Sequence, residues 1–270
     1  MDTNIKVYLR LISNSIQNYI SYKANIFIEV ITKVCIIVLQ ILIWKALYRY
    51  TNNMSTFNGN LDFDSMVTYV VISSMMSILL PIFLFTTISE KIQTGAIVID
   101  LMRPISFRKY VFAQYIGTSL AQSVVQIIPN LILVLLFFKI QLPGVYYICL
   151  FLASMINSIL INLLINYIIG FCAFWILHIW PIGSLYESCI RILAGSWLPL
   201  WLFPDFLQKI SDFLPFKSIF FTPITIFLGK ADLYSTFKLI AIQIFWIGVL
   251  FLFQQVLWIT GTKRLVIQGG

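Results

Sequence analysis

Six apolar stretches, each long enough to cross a bilayer, leave this 270-residue chain little from which to build a water-soluble domain. At about 20 residues per crossing, they fall near Ile26 to Leu47, Met66 to Ile88, Val111 to Phe138, Val145 to Leu177, Leu185 to Phe203 and Thr236 to Thr260. In hydrocarbon every backbone polar group needs an internal partner, so such stretches are read as helices. The chain is apolar almost continuously from Val145 to Leu202. The fourth and fifth stretches are therefore divided at HIWPIGS, residues 178 to 184, where Pro181 and Gly183 interrupt a helix and His178 is polar. The expected fold is all-α and integral to the membrane, one transmembrane domain over residues 1–270.

Composition excludes several other classes. Apolar residues make up 60% of the chain, charged residues only 10%, and the mean hydropathy is +0.94, whereas charged residues alone are about 25% of a soluble protein. A net charge of +8 would suggest nucleic acid in a soluble domain. Here the basic residues sit in short loops, where they set topology and meet lipid headgroups, so no nucleic-acid partner is expected. Cys35, Cys149, Cys172 and Cys189 lie in or beside apolar runs and read as small hydrophobes rather than a disulfide or metal framework.

No secretory signal is read, since the first long apolar stretch begins at Ile26 without a small-residue cleavage site behind it. Ahead of it, in residues 1–25, Ile5, Leu9, Ile12, Ile16 and Ile20 form one stripe of a helix beside a polar row of Lys6, Arg10, Ser13 and Gln17. Such a helix lies in the headgroup plane or packs on other protein. With the N-terminus inside, Lys6, Arg10, Lys23, Lys91, Arg103, Arg108, Lys109, Lys263 and Arg264 face the cytoplasm, against Lys45, Arg49, Lys139, Lys209, Lys217, Lys230 and Lys238 outside. The bias of nine to seven favours cytoplasmic N- and C-termini. Residues 204–235 alternate amphipathic and apolar segments around Pro215 and Pro223, as expected for short re-entrant helices forming an outer cap before the last span. No internal repeat is detected, which gives an inverted-repeat transporter no support.

Catalytic motifs are missing. There is no GxxxxGKS/T loop for nucleotide phosphates, no GxSxG elbow around Gly195 and Ser196, and a single histidine, His178, cannot build a zinc site of the HExxH kind. No catalytic or metal-binding residue is therefore assigned. Ionisable groups at membrane depth mark function more often than elsewhere, and two pairs stand out. Glu29 and Lys33 are four apart with the acid first, the favourable order for a helical ion pair, and Glu187 and Arg191 repeat it. Each pair reads either as a structural neutralisation near a helix end or as part of an ion relay.

The charged segment SEKIQTGAIVIDLMRPISFRKY, ending at Tyr110, is the best clue to function. Ile92, Ala96 and Ile99 mark one face of a helix over residues 89–104, Ser89 and Glu90 suit its start, and Pro104 its stop. Gly95 in mid-helix would cost roughly 1 kcal/mol, so something approaches its backbone or the helix bends there. Arg103 meets the C-terminal end of the helix dipole. The segment is either a device that receives a mechanical input or an interfacial loop with inside charges.

The pattern SEKIxxGxIxxxLxRPI after the second span, with FWILHIW at 174–180, GSWLPLWLFP from Gly195, LPF at 214–216, TPITIFLG from Thr222 and the closing GTKRLVIQGG, resembles the ABC-2-type permeases. These are membrane subunits of ATP-binding-cassette exporters, and the chain is most similar to short unfused members that often occur in pairs. The resemblance implies a non-catalytic subunit in a bacterial cytoplasmic membrane, with ATP and Mg bound by a separate ATPase and no cofactor in this chain. It implies a second permease, identical or homologous, and an amphipathic cargo such as a peptide, antibiotic or lipid. Glu90, Lys91, Gly95, Asp100, Arg103 and Pro104 would form the cytoplasmic coupling helix, and Met75, Met76, Phe83, Phe85, Trp197 and Trp201, on the second and fifth spans, would line the path. The alternative is a secondary transporter or channel not coupled to ATP.

Overall fold

The computed structural model describes residues 2–50, 62–80, 83–138, 140 and 142–268. Lys139, Gly269, Gly270 and the middle of the Asn-, Ser- and Thr-rich stretch from Tyr48 to Ser65 lie outside the described residues. Among those described, every regular element is helical. In chain order they are α1 (Asp2–Ser21), α2 (Lys23–Tyr50), α3 (Phe63–Leu79), α4 (Leu84–Gln93), α5 (Ile97–Leu101), α6 (Phe107–Gln122), α7 (Ile128–Phe137), α8 (Val145–Phe171), α9 (Trp180–Ile192), α10 (Asp205–Asp212), α11 (Phe221–Phe227) and α12 (Leu233–Gln268).

Five stretches are long and apolar enough to cross a membrane: Lys23–Arg49, Phe63–Gln93, Phe107–Leu136, Val145–Phe174 and Leu233–Leu265. A sixth is obtained if Asp205–Asp212 and Pro215–Phe227, bent by 78°, count as one. The third stretch joins α6 to α7 through a π turn at Ser123–Ile127. Pro129, in the first turn of α7, has no N–H for the helical ladder, and the wider turn accommodates it.

Helix α8 is the axis, with α4, α11 and α12 packed along it. A main core joins Ile37 and Ile41 of α2, Val70 and Met76 of α3, Ile161 and Ile165 of α8, and Ile224 of α11. A second cluster gathers Ile88 and Ile97 with Phe107, Tyr110, Tyr167 and Phe171, and Leu257 and Trp258 pack on it. The α4–α5 loop, the start of α6 and the ends of α8 and α12 therefore share one end of the bundle, here the loop end. At the opposite end Phe227 of α11 meets Phe151 near the start of α8, with ring centroids 5.0 Å apart.

The stretch Leu185 to Phe203, expected as a single span, is not one helix. α9 begins earlier, at Trp180, because Pro181 sits in its first turn, where a proline is tolerated rather than disruptive. α9 ends at Ile192 before Gly195, whose φ of +75° stops it. The chain then covers the remaining depth in pieces. Tyr69 of α3 donates to the Gly195 carbonyl at 2.5 Å and Ser73 to that of Ser196 at 2.6 Å. Phe221 N–H donates to Ala194 O at 3.1 Å. The Ser218 carbonyl, midway along α8, accepts from Ser158 Oγ (3.0 Å) and Gln243 Nε2 (2.8 Å). These bonds satisfy irregular backbone where lipid cannot.

α1 lies along α6. A Cβ on Gly117 of α6 would stand 2.6 Å from Ile12 O and 2.7 Å from Ser15 Cβ, so the two helices touch at a residue that only glycine can fill. The expected stripe is split by this contact: Ile12 and Ile16 are half-buried, whereas Leu9 and Ile20 stay exposed.

Candidate functional site

The loop end carries a rigid, charged platform. α4 starts at Leu84, five residues before Ser89, and ends at Gln93. Gly95 then takes φ +74° with nothing within 4 Å of an added Cβ. It is a helix stop, not a mid-helix glycine approached by a partner, and two short helices replace the single one expected over 89–104. The turn also shifts the phase of the apolar face. Ile92 and Ile97 are buried, while Ala96 and Ile99 point outward.

Behind the turn, buried Asp100 accepts from Lys91 Nζ at 2.6 Å and pairs with Arg103 at 3.2 Å. Both cations also lie over the Tyr110 ring, 4.7 and 4.6 Å from its centroid. One carboxylate between two cations on an aromatic floor fixes α5 against the start of α6. Arg108 extends the platform: it donates to Gln255 of α12, and its carbonyl accepts from Tyr167 at 2.7 Å. Glu90 and Pro104 are exposed at the rim. Beyond the platform, Val98, Ile99, Leu101 and Met102 project outward, Met102 with 82% of its surface free.

Helix α4 links this platform to the interior through a slot lined by glycines. A Cβ on Gly170 of α8 would meet Ile88 at 2.7 Å, and one on Gly183 of α9 would meet the Phe85 ring at 2.2 Å. Asn166 Oδ1 accepts the Phe85 N–H at 3.1 Å, capping an orphan donor in the first turn of α4. Tyr186 of α9 donates to Asn162, one turn along α8. None of this is signalled by apolar periodicity, although Asn162 and Asn166 at a four-residue spacing in an apolar run are its trace.

Two grooves open on the flank of the bundle. One, of about 730 Å³ between α2, α3 and α9, is lined by Lys33, Trp44, Ser73, Ser77, Glu187, Arg191 and Trp197, among others. The other, of about 780 Å³, runs past α1 and α6 and includes Glu29, Gln114, Thr118 and Gln126. Lys33, Ser77 and Phe83 line both, so the two meet there. Of the residues expected on the path, Phe83 and Trp197 are exposed in the first groove. Met75, Met76 and Phe85 instead point into the chain's own core, and Trp201 packs against Tyr69 and Phe221.

The two ion pairs behave differently. Glu187 and Arg191 do pair, at 3.6 Å, with Arg191 5.8 Å from the Trp197 ring centroid. Glu29 and Lys33 form no ion pair. Glu29 accepts from Tyr19 and Asn25 at 2.8 Å and from Gln126 at 2.6 Å, while Lys33 donates to Ser77 at 2.7 Å. The π turn carries Gln126 and so aims it at α2. Burial pushes the Tyr19 phenol up to about 12, so it stays a donor to Glu29. Among the described residues no three His, Cys, Asp or Glu side chains are grouped to hold a metal.

Residues 34–269 match the family described as ABC-2 family transporter protein. The chain belongs to that ABC-2 family. No curated protein matches it at a significant level. Membership makes this ABC-2 protein a multi-pass membrane permease, of a family whose members are generally non-catalytic and associate with an ABC ATPase.

Proposed function

We propose that this permease is the transmembrane subunit of an exporter, working with a second permease and moved by ATP hydrolysis on a separate subunit. The α4–α5 loop is its coupling element and docks on the ATPase. The observation that carries this reading is the outward apolar tip Val98, Ile99, Leu101 and Met102 on a base held by Asp100. An apolar tip in water is unfavourable without a partner. A fixed base transmits a push instead of absorbing it. The loop end also gathers Lys91, Arg103, Arg108 and Lys109 with Lys263 and Arg264 of α12, the charge bias of a cytoplasmic face. N- and C-termini are then cytoplasmic in a bacterial inner membrane, and the caps at α10 and α11 face outward. The cargo is an amphipathic molecule.

Replacing exposed tip residues, Ile99→Glu with Met102→Glu, tests the reading without disturbing the fold. The doubly substituted permease, co-expressed with its ATPase, is expected to lose co-purification and stimulated ATP turnover while remaining monodisperse. Unchanged co-purification and turnover would overturn the coupling role.

A further inference from the structure

Lys33 is the one basic residue that α2 carries between Lys23 and Lys45, and among the described residues no carboxylate touches it. Ser77 Oγ accepts one of its three protons at 2.7 Å. Glu29, one turn earlier, is taken by Tyr19, Asn25 and Gln126, and Glu187 across the groove is paired with Arg191. Among the described residues no carboxylate lies within 4 Å of Lys33 Nζ. A cation in a membrane-spanning helix is costly unless something neutralises it or it reaches water. Glu187 and Arg191 neutralise each other, and Glu29 balances Lys33 only through space, so among the described residues two of the three ammonium protons of Lys33 have no acceptor in contact.

From Lys33 the groove continues along α2 past Ile36, Ile43, Trp44 and Leu47, facing Trp197 and Leu198. Fourteen helical residues separate Lys33 from Leu47, about 21 Å of largely apolar wall. We infer that this groove binds a single-chain amphiphile with an anionic headgroup, its carboxylate or phosphate on Lys33 and its tail along α2 toward Trp44. A volume of about 730 Å³ is that of a drug-sized site. The apolar wall along α2 takes one long chain with its head. The groove opens on the side of the bundle along the exposed Ile36, Leu39 and Ile43 of α2, so the ligand enters sideways. As cargo class this rests on the export reading above; as a binding site it does not.

Trp44 and Trp197 in the wall supply the readout. The full-length permease is reconstituted in neutral phosphatidylcholine nanodiscs and titrated with mid-chain dibrominated stearic acid. Dibrominated stearyl alcohol and dibrominated phosphatidylglycerol serve as the neutral and two-chain probes, and a Trp44→Phe, Trp197→Phe variant gives the background. The acid is expected to quench these two tryptophans saturably, and the other two probes to give only the unsaturable quenching of bulk lipid. Lys33→Gln is expected to weaken acid binding about tenfold, and Lys33→Arg to keep it. Equal saturable quenching by acid and alcohol would overturn the inference even if Lys33→Gln fails to fold. So would saturation by phosphatidylglycerol, or acid binding indifferent to Lys33→Gln in a folded variant. Absence of saturable acid binding with ATPase association intact sinks this inference alone. Acid binding retained while Ile99→Glu with Met102→Glu leaves ATPase association untouched sinks only the coupling reading.

Discussion

Helix α2 and the stretch Phe63–Gln93 both qualify as apolar spans, yet 11% of one is buried inside the protein and 69% of the other. What separates them is their polar residues. α3 buries Ser65, Thr68 and Ser73 and sends two of these side chains to backbone carbonyls of neighbouring segments or its own turn. α2 leaves an almost unbroken apolar face of Phe27, Ile28, Leu39, Leu42 and Ile43 uncovered by the chain. In water burial follows apolarity, but in a bilayer the lipid is as apolar as the core, so small and polar residues mark the protein interior. α12 repeats the rule. It is 11% buried, and the part that is inside includes Gln243 and Gln254.

Glycine substitutions on the two kinds of surface give the largest contrast. Gly183→Leu forces a side chain into the Phe85 ring, which an added Cβ alone would meet at 2.2 Å, whereas Gly248 of α12 has nothing within 4 Å. Overpacking is expected to cost Gly183→Leu about 3 kcal/mol, and Gly248→Leu to be neutral or stabilising, since leucine is the better helix former. Unfolding by SDS titration in mixed micelles checks both. Similar losses for the two variants would break the distinction between a protein-facing and a lipid-facing helix surface.

A smaller contrast lies within one helix. Gln243 bonds the Ser218 carbonyl at 2.8 Å and takes a bond from Ser154 at 3.0 Å, while Phe245, two residues on, is 63% exposed. Gln243→Leu is expected to cost about 1 kcal/mol and to make the α10–α11 segment easier to cleave by protease from the cap side. Phe245→Ala is expected to stay within about 0.5 kcal/mol. The same titration reads the energies, and timed proteolysis with gel analysis reads the opening.

This contrast explains what the sequence could reveal. The spans at α2, α3, α6 with α7, α8 and α12 are legible because hydrocarbon allows few conformations to a long apolar run. The region from 172 to 232 is not, because it is apolar without being one helix. Pro181 begins α9 where a proline is expected to break a helix, and Gly195 and Ser218 rest on side chains from α3, α8 and α12 that lie 126, 60 and 25 residues away. At the platform, charge and composition single out the segment, but one helical period drawn through Gly95 puts Ile99 on the buried face. A single positive φ at Gly95 moves it outward, and nothing in the local spacing reports φ. Met75, Met76 and Phe85 lie in the core for a related reason. Bulky residues on a span are as suitable for a core as for a pore, and only their neighbours decide.

The comparison should stop at the helix ends, which meet water, and Asp232 tests that limit with the smallest expected effect. It precedes the first residue of α12, its carbonyl accepts the Thr236 N–H at 2.9 Å, and its carboxyl is held below the ordinary value of 3.8, chiefly by a hydrogen bond from Ser235. A carboxyl depressed in the folded state adds stability above its unfolded value and loses it as pH falls through the folded one. Asp232→Ala is therefore expected to lower the unfolding midpoint slightly at neutral pH, and the deficit to vanish as pH drops below 3.8. Asp232→Asn, still a good N-cap, should lose less than Asp232→Ala. The measurement is the unfolding midpoint of the three proteins in one detergent across that range. A deficit of constant size at every pH would mean that Asp232 acts through packing, and that the cap end of α12 obeys the same rule as its lipid-facing middle.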